Sequence, residues 1–299
     1  MDANKKTKGQ TIVKSQTIKE KDDIVSLFKN EFSSTIIPVY IKSLDRELNF
    51  REISVKEYKT FAKTSIDNAN KPATIYRAMT SMVENVMLTK DVELENLTEL
   101  DRVHILFNLS QTAIVDRNHE YECPQCHGKF NVEPNVQKIN EGFNNIQMID
   151  KVYIVEDSQR RYIITVNYPT IKRLTATLDH YQLMHKDEDV DITSDINGNT
   201  VGIALAYIHA YIKSITVEKK SGGEPLTAPL DQLPIKEAEE IIDIIPQSIF
   251  SANGENSVIS KINEDFISKT SAIFQKEKCP TCGVEFDGQI ASVTDFLYS

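Results

Sequence analysis

Two short stretches of this 299-residue sequence, Tyr121-Glu-Cys-Pro-Gln-Cys-His-Gly128 and Lys278-Cys-Pro-Thr-Cys-Gly283, decide how the chain is organised. Each is a Cys-Pro-x-Cys pair followed by a glycine, the form of a zinc knuckle. Glycine lets the backbone curl until its N–H groups face the two sulfurs. Four thiolates complete one closed tetrahedral site without room for a catalytic water, so we predict a single structural zinc. Its predicted ligands are the only cysteines of the chain: Cys123, Cys126, Cys279 and Cys282.

Three other interpretations of the cysteines fit the sequence less well. Two disulfides would suit a small secreted protein, but this chain is long and shows no signal peptide. A redox Cys-x-x-Cys pair usually occurs singly and near a βαβ pattern, which we do not find. Two separate zinc sites would need further ligands. His119 and His127 flank the first pair, but no histidine lies near the second.

The distance between the knuckles along the chain is unusual. Residues 127–278, which number 152, separate them, whereas an ordinary zinc ribbon closes within roughly a few tens of residues. We therefore predict an α+β fold of helices and short antiparallel hairpins, with a split zinc ribbon that clamps an inserted domain. The predicted divisions are a flexible N-terminal tail at 1–32, a hairpin with three helices at 33–118, the ribbon and C-terminal tail at 119–135 and 276–299, and the inserted α+β domain at 136–275.

Local patterns in the first half of the chain predict its elements. A hairpin is expected around the turn at 43–46, because Leu48 and Phe50 alternate with polar residues after it. Ser54 and Glu57 form a capping box at the start of a helix. Further helix starts are predicted at Pro72, Thr98 and Thr170.

In the second half, two β-rich runs predict another hairpin, Lys151–Glu156 with Arg161–Asn167. Apolar residues at helical spacing predict three helices, the last of which leads to the second knuckle. These residues are Val201, Leu205, Ile208 and Ile212 for the first helix, Ile235, Ala238, Ile241, Ile242 and Ile245 for the second, and Val258, Ile262, Phe266 and Ile273 for the third.

Composition excludes several classes of protein. The net charge of −10 disfavours non-specific binding of nucleic acid, whose affinity comes from Lys and Arg that neutralise phosphates. No run of 18 apolar residues occurs, so we expect no membrane span. No targeting signal is visible at the N-terminus, and free thiols for zinc imply a reducing cytoplasm.

No motif of a known catalytic class occurs in the sequence, and we predict that the protein is not an enzyme. P-loop, Gly-x-Gly-x-x-Gly, His-Glu-x-x-His and Gly-x-Ser-x-Gly patterns are absent. Asp187–Asp191 offers several hard oxygens but lacks the glycine and closing glutamate of an EF-hand, so it is predicted to be a solvated loop. His104 lies beside an apolar helical stripe and is predicted to be a core or boundary histidine.

The order of these segments resembles the baseplate hub and hub-assembly proteins of T-even-type contractile-tailed bacteriophages. The similar segments, spread over roughly residues 35–299, are Phe50–Tyr58, Met82–Val86, Leu97–Asp101, Val166–Thr170, Ile208–Val217 and the last Cys-Pro-x-Cys-Gly with its Asp-Phe-Leu end. The N-terminal tail and Gly222–Leu233 have no counterpart. The resemblance implies a hub subunit or assembly chaperone that acts in the host cytoplasm or stays in the virion tail, with other hub or tail proteins as partners.

Zinc ribbons are also common in transcription, so the alternative function is a zinc-ribbon nucleic-acid-binding or transcription regulatory protein. The charge around the knuckles argues against it, because acidic side chains repel phosphate. The acidic residues near the knuckles are Glu120, Glu122, Glu133, Glu285 and Asp287. We therefore expect nucleic acid to be an unlikely partner.

Overall fold

The computed structural model describes residues 35–68, 71–113, 119–132, 135–184, 207–251 and 257–292. The predicted flexible tail at 1–32, the acidic loop at 187–191 and the hydrophobic C-terminal tip lie outside the described residues. Within them, helices alternate with short antiparallel sheets, so the predicted α+β class is confirmed. No helix in these ranges is long and apolar enough to cross a bilayer.

The described part of the chain starts with the predicted β-hairpin. β1 (Ile36–Ile41) pairs antiparallel with β2 (Arg46–Arg51), and Val39 lies opposite Leu48. Both of these side chains are buried. Asp45 adopts the left-handed backbone conformation (φ 53°) in the turn, which a short polar side chain tolerates.

Two helices follow the hairpin, and both begin where the sequence predicts. α1 (Val55–Asp67) starts at the capping box, in which Ser54 and Glu57 exchange side-chain and backbone hydrogen bonds. Arg51 donates two further hydrogen bonds to the Glu57 carboxylate, at 2.6 and 2.9 Å. These bonds lower the pKa of Glu57 to about 2. α2 (Pro72–Val86) has its proline in the first turn and packs against α1.

α3 (Glu99–Ala113) carries an ion pair inside the core. The Glu99 and Arg102 side chains are each 3% exposed and share two hydrogen bonds of 2.5 and 2.8 Å. Tyr76 of α2 donates to Glu99 at 2.5 Å, and its ring lies 4.1 Å from the guanidinium carbon of Arg102. Removing Glu99 or Arg102 would leave the other as an uncompensated buried charge. The hydrogen bond from Tyr76 to Glu99 joins this pair to α2.

A four-stranded antiparallel sheet occupies the second half of the fold. In spatial order its strands are β5 (Lys151–Glu156), β6 (Arg160–Val166), β7 (Ile212–Lys219) and β8 (Leu226–Ala228). The predicted β5–β6 hairpin is confirmed, and the Asp157 carboxylate accepts two backbone N–H groups in its turn. The predicted helix through Ile212 is wrong at that residue. Ile212 is fully buried opposite Val166 in β7, and the helical residues described before it are 207–211.

The remaining helices contribute buried residues to the same hydrophobic core. They are α4 (Val136–Asn145), α5 (Ile171–Met184), α6 (Ile235–Asp243), α7 (Gln247–Ser251) and α8 (Val258–Ile262), with short 3₁₀ turns at Leu94–Asn96 and Leu230–Gln232. α5 packs against α2 and α6. Its N-terminus is capped by Thr170 Oγ1, which accepts from the N–H of Arg173 as predicted. The described residues from Ile36 onward belong to one compact unit.

The chain reaches the second knuckle through an irregular helix. After α8 it passes through a π-helical segment, Asn263–Ile267, and a last helical turn, Ser268–Ser271. Phe266 in the π segment is buried, with its ring centroid 5.0 Å from that of Tyr168. Ile273 is predicted on the same helical stripe, but this is wrong, because Ile273 lies in a strand opposite Ala291. The helical period ends where the hairpin of the second knuckle requires a strand.

Two hairpins carry the knuckles. β3 (His119–Glu122) and β4 (Lys129–Val132) bracket the first, and β9 (Ala272–Lys278) and β10 (Glu285–Ser292) bracket the second. Each knuckle thus lies at the turn of a two-stranded antiparallel hairpin. The first hairpin has strands of four residues, whereas those of the second have seven and eight.

Candidate metal centre

The two knuckles share one backbone hydrogen-bond pattern. In the first, Cys123 donates its N–H to the carbonyl of Gly128 at 3.0 Å and accepts from the N–H of His127 at 2.9 Å. Cys279 makes the same two bonds in the second, with the residues five and four positions later, both at 2.9 Å. The spacing of the Cys-Pro-x-Cys segments thus specifies one turn that is built twice.

The knuckles bring the four thiols into one cluster. Sγ of Cys123 lies 3.6 Å from Sγ of Cys282, and Sγ of Cys126 lies 3.6 Å from Sγ of Cys279. All four sulfurs lie within 4.8 Å of one another. These two cross-knuckle contacts form only where the knuckles meet. All four cysteines are free, since a disulfide needs a sulfur–sulfur distance of about 2 Å.

The cluster is half inside the fold and half at its surface. Cys123 and Cys279, the first cysteine of each knuckle, are buried, while Cys126 and Cys282 are exposed. Among the residues that the structure describes, no other group of three or more His, Cys, Asp or Glu side chains is arranged to hold a metal ion. The four predicted ligands are therefore the ones that the fold brings together.

The surroundings shift the pKa values of Cys279 and Cys126 in opposite directions. The N–H groups of Cys282 and Thr281 lower the pKa of the Cys279 thiol to about 6. The N–H of Gly128 also lowers the pKa of Cys126, but desolvation and the other three thiols raise it to about 12 overall. Ionisation of the Cys279 thiol is thus favoured, whereas ionisation of the Cys126 thiol is opposed. The full set of four can ionise together only when a cation compensates their charge.

The glycine of the first knuckle has a different role from the predicted one. The left-handed residue is His127 (φ 58°) in the first knuckle and Gly283 (φ 74°) in the second. Gly128 lies instead where the knuckles touch. A Cβ atom at Gly128 would lie 3.3 Å from Oγ1 of Thr281 and 3.4 Å from Sγ of Cys126. The prediction that glycine supplies the curl is confirmed for the second knuckle and wrong for the first.

Three aromatic rings form a small core beside the thiols. Tyr121 of β3, Phe130 of β4 and Phe286 of β10 have ring centroids 6.1 to 6.4 Å apart. Burial, with a contribution from Glu277, raises the pKa of Tyr121 to about 12. Because the rings come from both hairpins, they hold the knuckles together independently of the sulfurs.

Hydrogen bonds connect the ribbon to the helical core. The backbone N–H of Asn135, at the N-cap of α4, donates to Oε1 of Gln275 in β9 at 2.7 Å. α4 in turn contacts α3 through Asn140, whose Oδ1 lies 2.9 Å from Nε2 of His104. His104 is buried and stacks on Phe143, so its prediction as a core histidine is confirmed.

The exposed rim of the first knuckle carries two contacts between side chains of opposite polarity. Nδ1 of His127 lies 2.9 Å from the Glu122 carboxylate, and Lys129 pairs with Glu120 at the same distance. Such exposed pairs stabilise little. His127, considered above as a ligand of a separate site, is thus directed at a carboxylate.

The comparison with known families identifies the group to which this ribbon-bearing fold belongs. Residues 33–298 match the family described as T4 bacteriophage base plate protein. The chain belongs to this base plate family. The match spans both knuckles and the helices and sheet between them, and it confirms the resemblance to T-even-type baseplate proteins. No curated protein and no solved structure matches the chain.

Proposed function

We propose that this base plate protein is a non-enzymatic structural or assembly component of the baseplate hub of a contractile-tailed bacteriophage, and that one structural zinc stabilises it. The observation that carries the proposal is the family match over residues 33–298, together with the four-thiol cluster. The hub position, the assembly role and the zinc are our inferences from the two combined.

The chemistry of the cluster favours zinc as the metal. A tetrahedral metal with bonds of about 2.3 Å to sulfur needs sulfurs about 3.8 Å apart. The 3.6 Å contacts and the 4.8 Å limit of the cluster bracket that separation. Cys123, Cys126, Cys279 and Cys282 would hold the ion, and soft thiolates at this geometry select zinc over hard cations.

A shared metal would give the ribbon a mechanical role. Its two halves, at 119–135 and 276–299, would clamp the predicted inserted domain at 136–275. Small zinc modules gain on the order of 10 kcal/mol of apparent binding free energy from the metal. The clamp would hold the sheet and helices of the insertion in one orientation for docking.

Binding, and not catalysis, is the activity that these features support. Four protein thiolates would leave no open coordination position for a substrate or a water. The proposed partners are other hub or tail proteins of the same phage. The place of action is the host cytoplasm during assembly, with or without retention in the virion tail.

Two measurements test the proposal. Native mass spectrometry with elemental analysis should find one zinc per chain, whereas two zincs, or none with disulfides present, would contradict the shared site. The protein should also co-purify with a hub or tail-tube component when it is expressed with the other tail genes of its phage. Purification alone, with specific salt-sensitive DNA binding, would favour the transcription alternative.

A further inference from the structure

α1 carries an apolar stripe that faces solvent. Val55, Tyr58, Ala62 and Ile66 follow one another at spacings of three and four residues, which places them on one side of the helix. Val55 is 70% exposed and Ile66 is 73% exposed, and Tyr58 and Ala62 between them are also accessible. A helix of 13 residues is about 20 Å long, so the stripe extends over most of that length.

The stripe is not needed to hold α1 on the protein. A different face of the helix is anchored by Phe61 and Ser65, which are 2% and 3% exposed. The capping box and the two hydrogen bonds from Arg51 to Glu57 fix its first turn. The exposed apolar stripe therefore belongs to a helix that other contacts already hold in place, which suits recognition by a partner helix.

A row of lysines borders the stripe. Lys56, Lys59 and Lys63 are exposed and succeed one another at spacings of three and four residues. None of the three forms an ion pair with any residue in the described part of the chain. The protein as a whole has a net charge of −10, so this cationic row contrasts with the rest of the molecule.

We propose that the exposed stripe of α1 is a docking surface for an amphipathic helix of another base plate protein, one whose apolar stripe is bordered by Asp or Glu. Apolar side chains spaced at i, i+3, i+7 and i+11 match the anchors of helix-in-groove recognition. The unpaired lysines supply electrostatic complementarity to an acidic border. A second copy of the chain is a poor occupant, because its own stripe is bordered by the same lysines and not by an acidic row.

Site-specific photo-crosslinking tests this inference, which rests on the proposed base plate role. Benzoylphenylalanine is placed at Ala62, in the middle of the stripe, and in a control at Thr60, which is exposed on the opposite side of α1. Each variant is expressed with the tail and base plate proteins of the phage, and crosslinked peptides are identified by mass spectrometry. We expect position 62 to capture an acidic-bordered helix at least tenfold more efficiently than position 60.

Two substitutions sharpen the test. Ile66→Glu should lower the yield at position 62 at least tenfold, while Ile244→Glu should leave it within twofold, because Ile244 is equally exposed (80%) but lies beyond α6. Reversal of charge at Lys59 and Lys63 together should also lower the yield at least tenfold. If the charge reversal leaves the yield unchanged, the partner helix has no acidic border.

Several results would overturn the docking surface itself. These are a crosslink within the same chain, to a second copy or to anionic lipid, and equal effects of Ile66→Glu and Ile244→Glu. Co-purification with base plate proteins and no crosslink at position 62 would refute this inference and leave the proposed function intact. No association with any base plate protein would refute both.

Discussion

The two cysteine knuckles have the same backbone hydrogen bonds but different residues where the backbone is left-handed. The second knuckle places Gly283 there, at no steric cost, whereas the first places His127, where a side chain costs about 1 kcal/mol. The glycine of the first knuckle, Gly128, lies one position later, where Thr281 of the other knuckle approaches. Contact with the partner knuckle, and not the turn alone, therefore decides where glycine is required.

The hairpins around the two knuckles also differ, in the length of their strands. The first knuckle stands on strands of four residues, and the second on strands of seven and eight. A two-stranded hairpin is marginal on its own, and the shorter one depends more on its neighbour. A substitution in either knuckle should therefore lower the stability of both.

The largest expected effect comes from removing one thiol. Cys279→Ser and Cys123→Ser should each destabilise the whole protein by several kcal/mol, because loss of a ligand removes the metal contribution from both knuckles. Thermal unfolding with and without chelator measures this, and Thr281→Ser, which alters no thiol, is the control. If residues 35–275 melt unchanged, or if only one of the two variants is affected, the knuckles do not share a metal.

Next in size is the contact between the knuckles. Gly128→Ala should lower the free energy of unfolding by about 2 kcal/mol, because its Cβ would be overpacked against Thr281 and Cys126. In the double variant with Thr281→Ala, the loss should be smaller than the sum of the single losses, since Oγ1 of Thr281 is then absent. Denaturant titration of the four proteins gives the cycle. Additive losses would mean that the two residues do not meet.

The exchange of residues at the left-handed position should have a smaller effect. Gly283→Ala should cost about 1 kcal/mol, because the nearest atom to its Cβ, on Lys278, is at an ordinary 3.9 Å and only the backbone is strained. His127→Gly should be neutral or should stabilise by less than about 1 kcal/mol, since relief of strain is offset by entropy of the unfolded chain. Equal losses for both variants would show that His127 is not strained.

The capping box of α1 is a reference turn that needs no metal. Glu57→Gln should cost about 1 kcal/mol at neutral pH, because solvent that reaches the Arg51–Glu57 pair screens much of the stabilisation that the pKa shift alone would imply. The folded pKa of Glu57, about 2, lies below the ordinary glutamate value of 4.5, so its stabilisation is complete above pH 4.5 and is lost as pH falls toward 2. The difference from the unmodified protein should shrink over that range in urea titrations. Glu52→Gln, at an exposed carboxylate, is the control, and a pH-independent difference for Glu57→Gln would refute the shift.

Much of the local structure could be predicted from the sequence. The hairpin of β1 and β2, the cap at Ser54, the proline at Pro72 and the β5–β6 hairpin all depend on residues a few positions apart. Periodicity failed at Ile212 and Ile273, where helical spacing continues into residues that pair in strands. In both cases a distant strand supplies the backbone partners, and no local pattern contains that information.

The buried ion pair of α3 was also beyond prediction from the sequence. Arg102 follows directly on the capping segment and reads as an ordinary surface arginine. It is buried because Glu99 and Tyr76 surround it once α2 and α3 pack. An isolated charge would not be buried, so only the assembled helices make this position favourable.

At the candidate site, the chemistry follows from the order of the residues alone. Two Cys-Pro-x-Cys segments specify the same turn twice, because its hydrogen bonds join residues at most five positions apart. The contacts of Cys123 with Cys282 and of Cys126 with Cys279, across separations of 159 and 153 positions, arise from the packing of the whole fold. Those contacts depend on three rings and on every element packed between the hairpins, since a closed loop of this length has no local preference for its ends to meet.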